Sequence, residues 1–472
     1  MARLLVATVP LTGHVLPMRL VVRELIARGH TVRWYGSSKL APVIERAGAA
    51  HVPMHASIDW DDADVEAALP ALRGKRGLAR VKAQLEAMFI APMARQLRDL
   101  EAAARAFAPD AVIADQAHLG AALLHETRGV PWAGLGISAL MIPSIDTAPF
   151  GSAQPPACDE RDRTRTRHIN WLVQRVLFRD TTRSYRRGRI AAGLPAGTGT
   201  YFDVLSPQLY LQPTIPAFEY PRSDLPPQVH FIGPLVPEAP PERAALPAWW
   251  DELAAAHRRG RPIVLVTQGT LATDPRELLR PALRALAGED VLVVAITGRA
   301  GGGPAPLGRA ALPANVRVAP FVPYHALMPL LSVVVTNGGY GGVQMALRHG
   351  VPLVVAGGSE DKPEIAARVA WSGAGIDLRT GRPSARELRR AVRRVREEAT
   401  FRARARALAR AMAACNAPVA AADLIERLVA ERRPILRPET GAVTAAPALA
   451  AAWEHEATRR GAGAVRSWPG SS

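Results

Sequence analysis

His14 stands in Thr12-Gly13-His14-Val15-Leu16-Pro17, directly after an apolar run over residues 4–9 that reads as a buried strand. A neutral imidazole takes a proton from a hydroxyl near pH 7 when a carboxylate orients it and stabilises its charged form. Asp115 closes Val112-Ile113-Ala114-Asp115, a second strand candidate. Two strand ends of one parallel sheet bring such side chains together at the carboxyl edge, where open α/β sheets bind ligands. The pair would then do acid–base chemistry on a hydroxyl. The alternative is a structural loop histidine and a helix-capping aspartate, and position alone does not separate the two.

A second set of residues suits an anion. Thr336-Asn337-Gly338-Gly339-Tyr340-Gly341-Gly342 joins the strand candidate at 333–335 to a helix start. Its glycines allow close backbone approach, and a helix N-terminus offers free N–H groups with partial positive charge. Thr267-Gln268-Gly269-Thr270 makes a similar turn after an earlier strand, with a hydroxyl for a phosphate oxygen. Glu360-Asp361-Lys362-Pro363-Glu364 follows the strand candidate at 353–355. There Asp361 could accept hydrogen bonds from sugar hydroxyls. The structural alternatives are a tight strand–helix turn for the glycines, and capping by Asp361 with Lys362 paired to Glu360 or Glu364.

These residues need a scaffold that aligns strand ends. Short β-branched runs alternate with longer helical patterns, which predicts parallel sheets with crossover helices. Strands are expected at 4–9, 31–35, 111–114, 132–137, 209–211 and 230–232, then at 262–266, 291–296, 316–318, 333–335 and 353–355. Helices are expected between them, among others at 18–28, 40–47, 78–106 and 119–127, with a basic helix near 169–192. The second half adds helices at 275–287, 326–331, 342–348, 363–372 and 384–398, and two more between 401 and 430. The expected fold class is α/β: two doubly wound, Rossmann-like domains facing across a cleft. The first spans 1–235, a proline-rich linker 236–260, the second 261–432, and a poorly ordered tail 433–472.

Composition bounds the function. With 472 residues, two or three domains are expected. Hydrophobic residues at 48% permit large cores, and no run reaches the ~18 apolar residues of a membrane span. The net charge is +17, almost all from arginine, since the lysines are Lys39, Lys75, Lys82 and Lys362. That charge is spread over helices and aromatics make up only 5%, which argues against nucleic acid. The densest basic run, 161–190, reads as a solvated helix face or as a peripheral contact with an anionic membrane or an acidic partner. Cys158 and Cys415 form neither a disulfide framework nor a metal-type spacing. A cytoplasmic protein is expected, with any membrane contact at the inner surface.

Taken together, the stretches over residues 2–430 resemble the UDP-glycosyltransferase superfamily of GT-B fold, in its bacterial natural-product branch. The resemblance rests on Gly13-His14 with Pro17, Asp115 after a mid-domain strand, and Phe321-Val322-Pro323 before a short helix. It continues through Thr336-Asn337-Gly338-Gly339, then His349-Gly350-Val351-Pro352, then Asp361-Lys362-Pro363-Glu364 and the helix that follows. It implies an inverting, metal-independent transfer of a sugar from a nucleotide diphosphate, UDP or dTDP, to a hydroxyl acceptor. His14 would be the base and Asp115 would hold it. Gly13, Gly269, Thr270, Asn337, Gly338, Gly339, Tyr340, Gly341 and Gly342 would be among the donor-binding residues. Phe321 and Val322 would lie by its base, and Asp361 and Lys362 by its sugar.

The chain also departs from the family pattern. Asn337 replaces a histidine, Met345 a ribose-binding glutamate and Lys362 a glutamine, so the donor grip is altered while the catalytic pair is intact. A cation at 362 would suit an anionic donor sugar. Acceptor contacts are expected from 54–60, 89–93, 141–150 and the basic helix, where Trp60, Phe89, Met93, Met141 and Phe150 suit an apolar or lipid-like acceptor or else belong to the core. A non-catalytic nucleotide-binding relative and an epimerase-like enzyme of similar architecture are the competing classes.

Overall fold

The computed structural model describes residues 1–237, 246–269, 274–298 and 312–438. The first sheet contains β1 (Arg3–Ala7), β2 (Thr31–Gly36), β3 (Ala50–Pro53), β4 (Ala111–Asp115), β5 (Trp132–Leu135), β6 (Leu209–Gln212) and β7 (Val229–Phe231). Its strands lie in the order β3-β2-β1-β4-β5-β6-β7, every neighbouring pair parallel. The second contains β8 (Ile263–Thr267), β9 (Leu292–Ile296), β10 (Val316–Ala319), β11 (Val333–Thr336), β12 (Leu353–Val355) and β13 (Gly375–Asp377), in the order β10-β9-β8-β11-β12-β13. The central strands are apolar throughout because helices cover both faces of a parallel sheet.

Each strand order reverses direction once, between β1 and β4 and between β8 and β11. Crevices for ligands open at such switch points, outside the carboxyl ends. His14 follows β1 and Asp115 ends β4; Gln268 follows β8 and Asn337 follows β11. His14 and Asp115, and the turns after β8 and β11, therefore fall at switch points, while Glu360–Glu364 follows β12, one strand further on.

In the first domain, one face of the sheet packs on Thr12–Ala27 and the other on Met93–Phe107 and Leu119–Arg128. In the second, Leu279–Leu286 and Ala385–Glu397 cover one face, and Tyr340–Arg348 and Ala399–Ala413 lie on the other. That last core also takes in Ala139, Ile215 and Phe218 of the first domain, so apolar packing runs across the junction. A fully buried leucine or phenylalanine there contributes roughly 1.5–3 kcal/mol.

Several expectations change. Two edge strands, β3 and β13, escaped the pattern. The first helix begins at Thr12 rather than 18, so Pro17 lies inside it and His14 in its first turn. The helix expected over 78–106 is broken into Gly77–Gln84, a π turn Leu85–Ile90 and Met93–Phe107, with Pro92 at the break. The basic helix starts earlier, as Glu160–Leu172, a π turn Val173–Leu177 and Arg179–Ala191. The last helix, Ala417–Glu431, crosses back to pack on the first domain through Ala421, Ile425 and Leu428. Residues 433–438 continue on that domain, where Ile435 is buried and donates its N–H to the Gln208 carbonyl. The proline-rich 238–245 and the tail from 439 lie outside the described residues.

Candidate active site

The helix that carries His14 has no capping side chain of its own, since Leu11 occupies the N-cap. Asp62 supplies one from elsewhere in the chain: its Oδ2 accepts the Thr12 N–H at 2.7 Å. A Cβ at Gly13 would meet nothing within 4 Å, so open space lies beside the first turn. His14 Nδ1 lies 3.1 Å from Asp115 Oδ1. Asp115 is 0% exposed. Its Oδ2 accepts the Val9 N–H at 2.8 Å and its Oδ1 the Ala117 N–H at 2.8 Å. Burial pushes this carboxyl up, but His14, His118 and the Val9 N–H together outweigh burial and hold it below the usual carboxylate range. An ionised, immobile carboxylate therefore faces the imidazole.

His118, absent from the sequence reading, is buried beside this pair with both ring nitrogens lacking a hydrogen bond among the described residues. Burial pushes its imidazole down to about 4, against the pull of the Asp115 anion, so it stays neutral at pH 7. Phe89 stacks on His14 with ring centroids 6.4 Å apart, and Tyr201 stacks behind Phe89 at 6.4 Å. Of the expected acceptor side chains, Trp60 and Met93 are core residues. Phe89, Met141 and Phe150 are partly exposed.

On the second domain, β11 runs into Thr336-Asn337-Gly338-Gly339 and the helix Tyr340–Arg348. Gly338 has φ +94°, a conformation that side chains rarely adopt, and a Cβ there would meet Val355 at 2.9 Å. A Cβ at Gly339, Gly341 or Gly342 would meet nothing within 4 Å, and Gly339 caps the helix without a side chain. The bare helix N-terminus thus borders open space with its first N–H groups unclaimed by a cap. Asn337 is buried and its amide donates to the Gln268 carbonyl, close to Gly269. A cavity of about 330 Å³ lies at these strand ends, lined by Gln268, Asn337, Gly358, Lys362 and Arg382 among others. Thr270 lies outside the described residues.

Four residues expected at the donor are buried or engaged within the protein in this structure. Val322 is fully buried in the core, while Phe321 is 67% exposed, so only Phe321 can stack on a base. Tyr340 is buried, and its hydroxyl accepts a hydrogen bond at 3.2 Å from Gln212 of the first domain. Lys362 is paired with Glu360, the local ion pair rather than a free cation. Asp361 Oδ2 accepts the Ser138 hydroxyl, again across the junction. Burial raises the Asp361 carboxyl against the pull of Ser138 and Lys362.

The junction itself was not foreseen. Arg368, 1% exposed, bonds Glu219 at 2.5 Å and Glu364 at 2.9 Å and lies 4.2 Å over the Tyr220 ring. Glu364 also accepts the N–H groups of Gly151 and Ala153 at 2.8 and 2.7 Å. Gln344 donates to the Pro213 carbonyl at 2.8 Å. Charges so deeply buried persist only when paired and hydrogen-bonded. Their effect is to set the carboxyl edges of the two sheets against each other. The pattern visible in sequence was the helical Glu364/Arg368 spacing, which looks like any surface pair.

Two parallel α/β domains meeting edge to edge, with an imidazole–carboxylate pair on one and a glycine turn on the other, define the GT-B class of sugar transferases. Residues 290–429 match the family described as erythromycin biosynthesis protein CIII-like, C-terminal domain. The chain is 47% identical over 430 residues to 4'-demethylrebeccamycin synthase of Lentzea aerocolonigenes, covering 91% of this chain and 100% of that one. It is 35% identical over 444 residues to UDP-glycosyltransferase 2 of Phaeomoniella chlamydospora, covering 90% and 95%. The fold matches the crystal structure of glycosyltransferase VinC in complex with dTDP at TM-score 0.63 and 24% identity, over 91% and 100% of the two chains. The chain belongs to the UDP-glycosyltransferase superfamily and is a glycosyltransferase of its bacterial natural-product branch.

Proposed function

We propose that the enzyme transfers a sugar, with inversion and without a metal, from a UDP or dTDP sugar to the hydroxyl of a small apolar or lipid-like acceptor. The acceptor proton passes to His14 Nε2 as the oxygen bonds the anomeric carbon. The bond from that carbon to the diphosphate breaks, and its electron pair leaves with the nucleotide. Asp115 fixes the imidazole and stabilises its charged form. The bare N–H groups at 339–342 and the helix dipole take up the charge that grows on the diphosphate. Phe321 stacks on the base, and Asp361 exchanges Ser138 for sugar hydroxyls.

The observation that carries this reading is the fully buried Asp115, bonded to two backbone N–H groups and 3.1 Å from His14. The donor assignment draws on relatives: one is named a UDP-glycosyltransferase and a neighbour of like fold was crystallised with dTDP. The Phe89–Tyr201 stack beside His14 supports an apolar acceptor. Turnover of a donor panel by wild type and His14→Ala tests the reading. The variant is expected to lose ~10²–10⁴ in rate while binding dTDP or UDP within a few-fold of wild type. The glycosidic product should have the anomeric configuration opposite to that of the donor. Unaltered turnover in the variant, or retained configuration, would reject it.

A further inference from the structure

We propose that the outer face of residues 161–190 is a peripheral docking surface for an anionic lipid bilayer. The segment is held on its inner side. Thr166, Phe178, Thr181 and Tyr185 are buried, Ser184 donates to Glu86 at 2.7 Å, and Gly188 leaves no room for a Cβ against Met93. Its outer side carries an unusual load of apolar surface. Trp171 is 62% exposed, Leu172 52%, Val176 56%, Leu177 39% and Ile190 60%. Interleaved with them, Arg165, Arg175, Arg179, Arg183 and Arg187 are exposed, and none has a carboxylate partner among the described residues. Asp180, the acid on this stretch closest to them, is taken up by Lys82 at 2.9 Å.

A solvated face would carry polar side chains where these aliphatics stand. A single-stranded nucleic acid would need stacking aromatics between the cations, and Trp171 is the one exposed aromatic on the stretch. Alternating arginines and aliphatics instead match a helix lying in the plane of a bilayer. The apolar side chains enter the acyl boundary, tryptophan sits at headgroup level and guanidinium groups meet phosphates. Among the described residues no single helix is long and apolar enough to cross a membrane. The same segment packs on the Leu85–Ile90 turn, whose Phe89 stacks on His14. Docking would hold the acceptor side of the first domain close to the lipid, where a lipid-soluble acceptor is concentrated. The surface stands independently of the catalytic reading.

The test is co-sedimentation of the full chain with vesicles of phosphatidylcholine alone and of phosphatidylcholine mixed with phosphatidylglycerol. Binding is expected to the mixed vesicles and to be about tenfold weaker or more on the neutral ones. Arg175→Glu with Arg179→Glu should weaken mixed-vesicle binding by about tenfold or more. Trp171→Ser with Leu172→Ser should also weaken it, most visibly at high salt, while turnover of a water-soluble acceptor stays at the wild-type level. Recovery of the wild type in the supernatant with both vesicles would overturn the proposal. So would binding that the apolar substitutions leave intact. Retention on polyuridine or on an acidic protein without vesicle binding would assign the face to another partner and overturn it equally.

Discussion

The carboxyl edge of the first sheet keeps an ionised group inside, facing an imidazole, whereas the charges at that of the second are taken up in local pairs. Asp115 is fully buried, claimed by two backbone N–H groups and facing His14. Across the cleft, Asn337 is neutral and spends its amide on Gln268, and the Lys362 cation is paired with Glu360. Backbone N–H groups at an uncapped helix start remain. The difference teaches a division of labour. A base needs one orientation held before substrate arrives, which justifies a desolvated partner. A diphosphate brings its own charge and can be met by oriented dipoles that need no counter-ion. On the proposed reading, donor preference shifts by single substitutions on the second edge while the His14–Asp115 pair is untouched.

The comparison requires the edges to stay apposed, and the largest expected effect tests that. Arg368→Met leaves Glu219 and Glu364 buried without their cation and should lower the unfolding free energy by ~3–5 kcal/mol in chemical denaturation. A loss under ~1 kcal/mol would mean that the junction is wet. Next comes the first edge. His118 titrates near 4 in the folded chain and near 6.5 when unfolded, so between these pH values the unfolded state binds more protons. Stability should therefore fall as pH drops from about 6.5 to 4, by up to ~3 kcal/mol. Asp115, whose pKa is depressed, adds its own loss only below its unfolded pKa of about 3.9. His118→Phe should flatten the upper window and leave the lower one, and an unchanged profile would refute this account.

Smaller effects belong to the second edge. Asn337→His places a chargeable donor beside the glycine turn and should tighten dTDP or UDP binding by about three- to tenfold in calorimetry. No change would remove the diphosphate from that turn. Lys362→Gln breaks an ion pair between a buried lysine and a half-exposed glutamate and should lower stability by about 1–2 kcal/mol, with donor choice unaltered. A loss of affinity confined to donors bearing a carboxylate would instead show that this cation reaches the sugar.

The central strands were legible because buried parallel strands are continuous apolar runs. β3, with His51 and Pro53, and the three-residue β13 are edge strands with half-buried residues, and they left no such run. The helix start at Thr12 was missed because its cap, Asp62, is 50 residues away. The same distance problem hid the junction. Glu219 and Arg368 are 149 positions apart, and each alone reads as a solvated charge. Val322 and Tyr340 sat in the right motif, yet a motif fixes the backbone path without saying which side chains turn into the core. Strand ends placed His14, Asp115 and the glycine turn, but position alone left their structural alternatives open, and it was the family resemblance that singled them out.

One double-mutant cycle tests the central claim most directly: kcat of His14→Ala, Asp115→Ala and the variant carrying both. If the carboxylate works only through the imidazole, the double variant should be about as slow as His14→Ala alone. Losses that multiply, so that the double variant falls well below either single one, would contradict a base held by Asp115.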